Sequence, residues 1–464
     1  MLVKDYIITM ATALILSNAA IAGELQVGFG KADITPNINA KTVFLAGFGH
    51  NRRATEIHTP LAVRAIVLKD GQTKVAIAAV DVVGLFLPFV EKVRKQLPGF
   101  NYVLVGATHN HHGPDTLGLW GPSPLKSGVD PEYMTFLESR IVEAIREADS
   151  QTQAAQANIG RVNAPELLHD SRDPQVKHDE LVAFLFRDPK SDKPSGLVVQ
   201  WNCHPETIDS KSTKLSADYI ASTCAALEKR YHCPVAYLTG TVGGLMTTMH
   251  VPVADENGQI LPEGSIAKTE RYGVLIAELA EKALKNSVAV SLTPLDIRTK
   301  SVLLPVDNLL YQFGRQIGVF DRAMEAWTGD PDSPSGKLLD RIEGRPAIRT
   351  EVGRLRLGEL DIAVIPGEIY PELVLSKVQD PPEPNADFPD APIEPGIYAQ
   401  MTAKYKMIVG LGNDELGYIL PKRQWDAKPP FCYGLKSAPY GEINSLGPDT
   451  GPILCEAFRK MLNR

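Results

Sequence analysis

Five short apolar runs constrain this chain more than any other feature of it. They are "KVAIAAVDVVGL" (74–85), "NYVLVGATH" (101–109), "SGLVVQWNCH" (195–204), "PVAYLTG" (234–240) and "ELDIAVIPGE" (359–368). Short β-branched runs that end in glycine, asparagine or histidine suit central strands. Helical patterns lie between them. Asp130 stands as an N-cap before Pro131 and "YMTFLESRIVEAIREA". Ser216 is the expected cap of "ADYIASTCAALEKRY", and "SIAKTERYGVLIAELAEKAL" is a third strong helix. The alternation predicts an α/β fold, a central mixed sheet flanked by helices in a single large domain. No internal repeat is visible. The segment "QDPPEPNADFPDAPIEPG" (379–396) is too rich in proline for a helix or a central strand. It is expected to be a surface loop, either a lid over a site or a solvated insertion.

Composition excludes some classes. With 44% hydrophobic and 22% charged residues, the 464-residue chain reads as an ordinary soluble globular protein. A formal net charge of −7 and the lack of a basic cluster argue against a nucleic-acid partner. Lys4 precedes the apolar run "YIITMATALILSNAAIA", which closes on Ala20-Ile21-Ala22. Residues 1–22 therefore read as a signal peptide, and the chain is expected to be exported, to a periplasm or the extracellular space. No later stretch is apolar enough to span a bilayer. The cysteines Cys203, Cys224, Cys233, Cys432 and Cys455 leave one or two disulfides open, and their spacing matches no zinc finger.

Three of the ten histidines fall within "ATHNHHGPDT" (107–116). If the strand before them runs on, His109 and His111 share a face. "LVVQWNCHPE" delivers His204, followed by Glu206, and Glu368 follows a Pro-Gly turn. In open α/β sheets functional residues gather beyond the carboxyl ends of strands. Two imidazoles and a carboxylate around one metal, with a position open for water, make a catalytic zinc arrangement. No HExxH motif is present, so a helix-borne metalloprotease site is excluded. Cys203 is expected in the core and His232 at a helix end. His169, His178 and His250 fall in expected loops. His50 and His58, in "GFGHNRRATEIHTPLAVRA", are candidates to wall a pocket.

The motifs "VGFGKADITP", "THNHHGP", "NCHPETI", "SADY", "PGE", "GY" and "YGEINSLGP" occur in one order from about Val27 to the C-terminus. In that order the chain resembles the catalytic domain of neutral/alkaline (non-lysosomal) ceramidases. The resemblance implies a zinc amidase that cleaves the N-acyl bond of ceramide to sphingosine and a fatty acid. It implies zinc ligands at His109, His204, Glu368 and Tyr418. It also implies an acid–base histidine at His111, and substrate-polarising groups at Arg172 and Tyr440. The expected partner is a small N-acyl amide or lipid-like molecule.

Three departures bear on the substrate. The family's active-loop serine falls on Met246 in "GTVGGLMTT" (240–248), with Thr247 beside it. His112 replaces a small serine. The C-terminal immunoglobulin-like domain of ceramidases is expected to be missing. These leave open a zinc hydrolase of the same fold acting on another amide or an ester, and a non-catalytic binding protein.

Overall fold

The computed structural model describes residues 24–71 and 73–463, so the expected signal peptide lies outside the described residues. One four-strand connectivity occurs three times. In the first sheet Leu25–Asp33, Ala62–Asp70 and Thr73–Val80 run antiparallel in turn, and Tyr102–Ala107 adds parallel to the third. In the second, Gln156–Asn163, Glu180–Arg187 and Pro194–Trp201 are followed by parallel Val235–Thr239. In the third, Leu295–Pro305, Pro346–Leu357 and Leu360–Val364 are followed by parallel Tyr405–Val409. Each parallel addition needs a crossover, and each crossover carries helix: Leu87–Lys95, Tyr219–Tyr231, and Pro371–Leu375 with Ile397–Gln400. The sequence shows no repeat because the repetition lies in connectivity alone.

Strand alternation explains how the sheets meet. On the first sheet Ile66, Leu68, Val75 and Ile77 enter a core shared with Phe184 and Val198 of the second sheet and Ile362 and Met407 of the third. The alternate residues Val67, Ala76 and Ala78 face outward onto Leu137, Ile141 and Ile145 of the helix Pro131–Ser150. The helices Tyr219–Tyr231 and Ile266–Lys285 cover the second sheet, and Thr450–Leu462 covers the third. The chain thus forms the expected mixed α/β domain, its sheet layer divided among three sheets. One sheet holding every strand would exceed the roughly 10 that a twisted open sheet sustains.

Local signals place the helices. Asp130 accepts from the Glu132 N–H, and Ser265 from the Lys268 N–H. The cap of Tyr219–Tyr231 is Asp218 rather than Ser216. Leu215 still pairs as strand with Ile57, so the chain turns later, and the Ser216 hydroxyl accepts from the Asp218 N–H. Gly28 decides how the helix Pro131–Ser150 seats: a Cβ there would meet the Ala148 carbonyl at 2.0 Å. The five cysteines are buried, unpaired thiols, so the disulfides left open by the sequence are not formed. Segment 379–396 is irregular, as expected, and its Phe388 packs on Tyr370, Tyr418, Leu420 and Trp425. Among the described residues, no helix is long and apolar enough to cross a membrane.

Candidate metal centre

The three parallel edge strands are tied together at their carboxyl ends. Ala107 N–H donates to Leu411 O, Thr239 Oγ1 donates to Thr108 O at 2.8 Å, and Gly410 N–H donates to Thr239 O at 3.1 Å. This junction gathers the loops that follow the strands. His109 follows Ala107 in the first sheet, His204 follows Trp201 in the second, and Glu368 follows Val364 in the third. Glu368–Ile369 pairs parallel with Tyr418–Ile419, which puts Tyr418 beside Glu368.

Four side chains converge there. His204 Nε2 lies 2.9 Å from Glu368 Oε2, His109 Nε2 lies 3.3 Å from the same oxygen, and the Tyr418 hydroxyl lies 3.4 Å from His204 Nε2. All are buried. The other ring nitrogens are committed. His109 Nδ1 donates to Val83 O at 2.7 Å, and His204 Nδ1 donates to Met246 O at 2.8 Å. A carbonyl only accepts, so in each ring Nδ1 holds a proton, and an unprotonated Nε2 would turn its lone pair toward Glu368. Backbone carbonyls orient metal-binding histidines in this way. Two acceptors at such a distance need a positive charge between them, whether a proton or a cation. Burial alone would lower the His204 imidazole; the bond to Glu368 and the charges of Glu206 and Glu368 outweigh it and raise it to about 9. Two imidazoles, a carboxylate and a phenol suit a borderline divalent cation such as zinc.

His111 stands at the edge of this group. Its ring centroid is 4.8 Å from that of His109 and 5.6 Å from that of His204. The liganding atoms of all three histidines lie within 4.8 Å of one another. The expected strand alternation is not how this arises. The strand stops at Ala107, and His109 takes a left-handed φ of 66°, which swings both rings to the same side. Behind His111, Glu206 Oε2 lies 3.3 Å from Nδ1. Burial lowers the imidazole to about 4 despite Glu206. Burial would raise Glu206, but His111, His204 and the Thr247 hydroxyl together bring it to about 2. Sequence reasoning assigns Glu206 no role; its one signal there is the spacing from His204 in "NCHPE". Gly47 and Phe48 carry no such signal. Phe48 packs edge-on against His111, and a Cβ at Gly47 would meet the His111 ring at 2.3 Å.

Other candidates fall elsewhere. The Met246 side chain is fully buried in the core with Trp201 and Tyr272; only its carbonyl serves the site. His112 turns away and accepts from Arg52 Nη2 at 2.9 Å; burial first, then Arg52, lower it to about 3. Tyr440 is half-exposed, lines the cleft beside the cluster, and stacks edge-on with Tyr418 at 5.8 Å. Arg172 is not brought to the cluster. It is buried and bonded to Glu442 at 2.6 Å and to Gln424 O at 3.0 Å, reaching the site only through the short helix Tyr440–Ile443. His58 contacts Glu270, and neither His50 nor His58 lines the cleft. His178 is buried against Thr241, and His232 is the left-handed C-cap of its helix.

The cluster sits at the head of a cleft of about 830 Å³ including its open mouth. Its walls are mostly apolar, among them Val83, Phe86, Leu117, Trp120, Phe320 and Ile348. No residue of 379–396 lines it.

No protein-family model and no curated protein sequence matches the chain. Solved structures do. One is a neutral ceramidase from Pseudomonas aeruginosa, with a TM-score of 0.70 and 15% identity over 95% of this chain and 74% of that one. A second, a ceramidase complexed with C2, has a TM-score of 0.70 and 14% identity over 95% of this chain and 75% of that one. Identity this low speaks to architecture, and over nearly its whole length this chain has the fold of a neutral ceramidase.

Proposed function

We propose that the protein is a zinc-dependent hydrolase that cleaves an N-acyl amide bond in a substrate with an apolar arm. The observation that carries this reading is the convergence of His109, His204, Glu368 and Tyr418 at the head of an apolar cleft, with both ligand imidazoles pinned by backbone carbonyls. His109, His204, Glu368 and Tyr418 would hold the metal. Bound zinc supplies Lewis acidity and brings the pKa of water to about 7. His111 is the acid–base group. It takes the proton of the attacking water as the new C–O bond forms and passes it to the leaving nitrogen as the C–N bond breaks. Glu206 lies beside the His111 ring on its Nδ1 side and supplies a negative charge there. The Tyr440 hydroxyl donates to the carbonyl oxygen as charge develops there. Arg172 acts at one remove, holding Glu442 and with it the helix that carries Tyr440.

Ceramide stands as a candidate substrate. The two replacements that argue against it in the sequence, Met246 and His112, direct their side chains away from the cleft. The cleft walls, among them Val83, Phe86, Leu117, Trp120, Phe320 and Ile348, are apolar and suit a lipid-like molecule. Export is part of this reading, with the mature chain beginning near Gly23. A panel of fluorogenic N-acyl amides and esters of varied chain length, assayed with and without chelator, tests it. Chelator-sensitive amide hydrolysis is expected. Preference for esters makes it an esterase of the same fold, and metal retention without turnover makes it a binding protein.

A further inference from the structure

We infer that Glu415 is a specificity-determining residue, and that its free carboxyl oxygen selects substrates bearing a hydroxyl or amino group close to the scissile bond. The inference rests on the hydrolase reading above for the word substrate, and on the cleft itself for the contact. Glu415 lines the cleft together with Glu368, Tyr418 and Tyr311 and is only 7% exposed. Its Oε1 accepts the Gly417 N–H at 2.7 Å. Its Oε2 is buried and has no hydrogen-bond partner.

The other polar groups nearby are spent. Arg322 places both guanidinium nitrogens on Asp414, and the Tyr311 hydroxyl donates to Asn444 O at 3.1 Å. Asp414 itself also accepts from Thr350. Neither Arg322 nor the Tyr311 hydroxyl is left for Glu415. The chain accommodates the carboxyl at close quarters: a Cβ at Gly84 would meet Glu415 Cγ at 2.8 Å. An unpartnered buried carboxyl is costly, and a leucine would line an apolar wall without that cost. A site that hydrogen-bonds a substrate group, and is left unpaired without it, discriminates strongly. The free Oε2 accepts a hydrogen bond from a substrate hydroxyl or from a substrate ammonium group.

The test compares kcat/KM of the zinc-loaded full chain for hexanoyl, β-hydroxyhexanoyl and β-aminohexanoyl amides of aminomethylcoumarin. The proposal expects the hydroxyl or amino substrate to exceed the plain one by about tenfold or more. Glu415→Leu should erase that ratio while leaving metal content and plain-hexanoyl turnover within about threefold. Glu415→Gln should keep a hydroxyl preference and lose an amino preference, which separates the two sources. Equal rates in the wild type, a ratio unchanged in Glu415→Leu, or a parallel fall for all three amides would each overturn the proposal. If Glu415→Leu does not fold, Glu415→Ala, which adds no bulk, reads the same ratio. If the wild type hydrolyses none of the amides, the hydrolase reading fails, and calorimetric titration of the three free acids still reads the contact. A tenfold Kd preference that Glu415→Leu abolishes supports it, and equal Kd values overturn it.

Discussion

His204 and Glu368, 164 residues apart in the chain, meet at 2.9 Å between Nε2 and Oε2. They come from different sheets, and the hydrogen bonds joining the edge strands bring their loops together. The His204 ring cannot rotate away, because Met246 O holds its Nδ1. The site is therefore preorganised from behind, which is what a metal-binding histidine requires.

Ligand and acid–base duties separate by mutation. His109→Ala is expected to lose metal and activity together. His111→Ala is expected to keep metal and lose roughly 10²–10⁴ in kcat. Metal analysis beside steady-state kinetics checks both. Metal loss in His111→Ala with retention in His109→Ala would reverse the two roles.

In the proposed mechanism Tyr440 donates to charge that develops only as the reaction proceeds. Tyr440→Phe keeps the ring contact with Tyr418 and removes the hydroxyl. A fall in kcat of about 10²–10³ with little change in KM is expected. A rise in KM at constant kcat would assign the hydroxyl to ground-state binding instead.

Arg172 and Glu442 form a buried pair at 2.6 Å. Removing one partner leaves the other charge uncompensated, so Arg172→Ala is expected to destabilise by roughly 3–5 kcal/mol. Urea unfolding measures this. The double variant Arg172→Met, Glu442→Gln should recover most of the loss, and failure to recover would mean that the pair is not what the fold needs there.

His178 gives a pH signature away from the metal centre. Burial lowers its imidazole from the ordinary 6.5 to about 4. The unfolded chain binds the proton near 6.5 and the folded chain only near 4. The stability this histidine contributes is therefore whole above pH 6.5 and is lost as pH falls toward 4. Chemical denaturation across that window should show a smaller loss on acidification for His178→Gln than for the wild type. Parallel curves would show that His178 does not contribute.

Gly28 sits under the helix Pro131–Ser150. Because a Cβ would meet the Ala148 carbonyl at 2.0 Å, Gly28→Ala must push the helix off the strand. Overpacking of this kind costs roughly 1–3 kcal/mol, here against backbone that cannot step aside. A lowered melting temperature is the expected readout, and an unchanged one would place the helix farther from the strand than the structure does.

Much of the site is legible in the amino-acid sequence. Strand runs, helix caps at Asp130 and Ser265, and a chemistry-bearing residue after each of three strand ends all depend on neighbours within a few residues. The same short range explains the misplaced cap at Ser216, where a pairing with Ile57 from far upstream kept the chain extended. What lies beyond local rules is which face meets which. Nothing near His112 in sequence says that Arg52 will claim it, and nothing near Met246 says that its side chain will fill the core while its carbonyl orients His204. Glu206 behind His111, Arg172 drawn off to Glu442, and the threefold sheet connectivity are likewise products of burying three apolar sheet faces against one another. By itself the sequence determined five of the sheet-building strands, three of the helices and the residue types able to hold a metal, because periodicity and capping act over a single turn. The tertiary structure alone decided which side chains share the cleft, because that depends on how surfaces distant in the chain pack to exclude water.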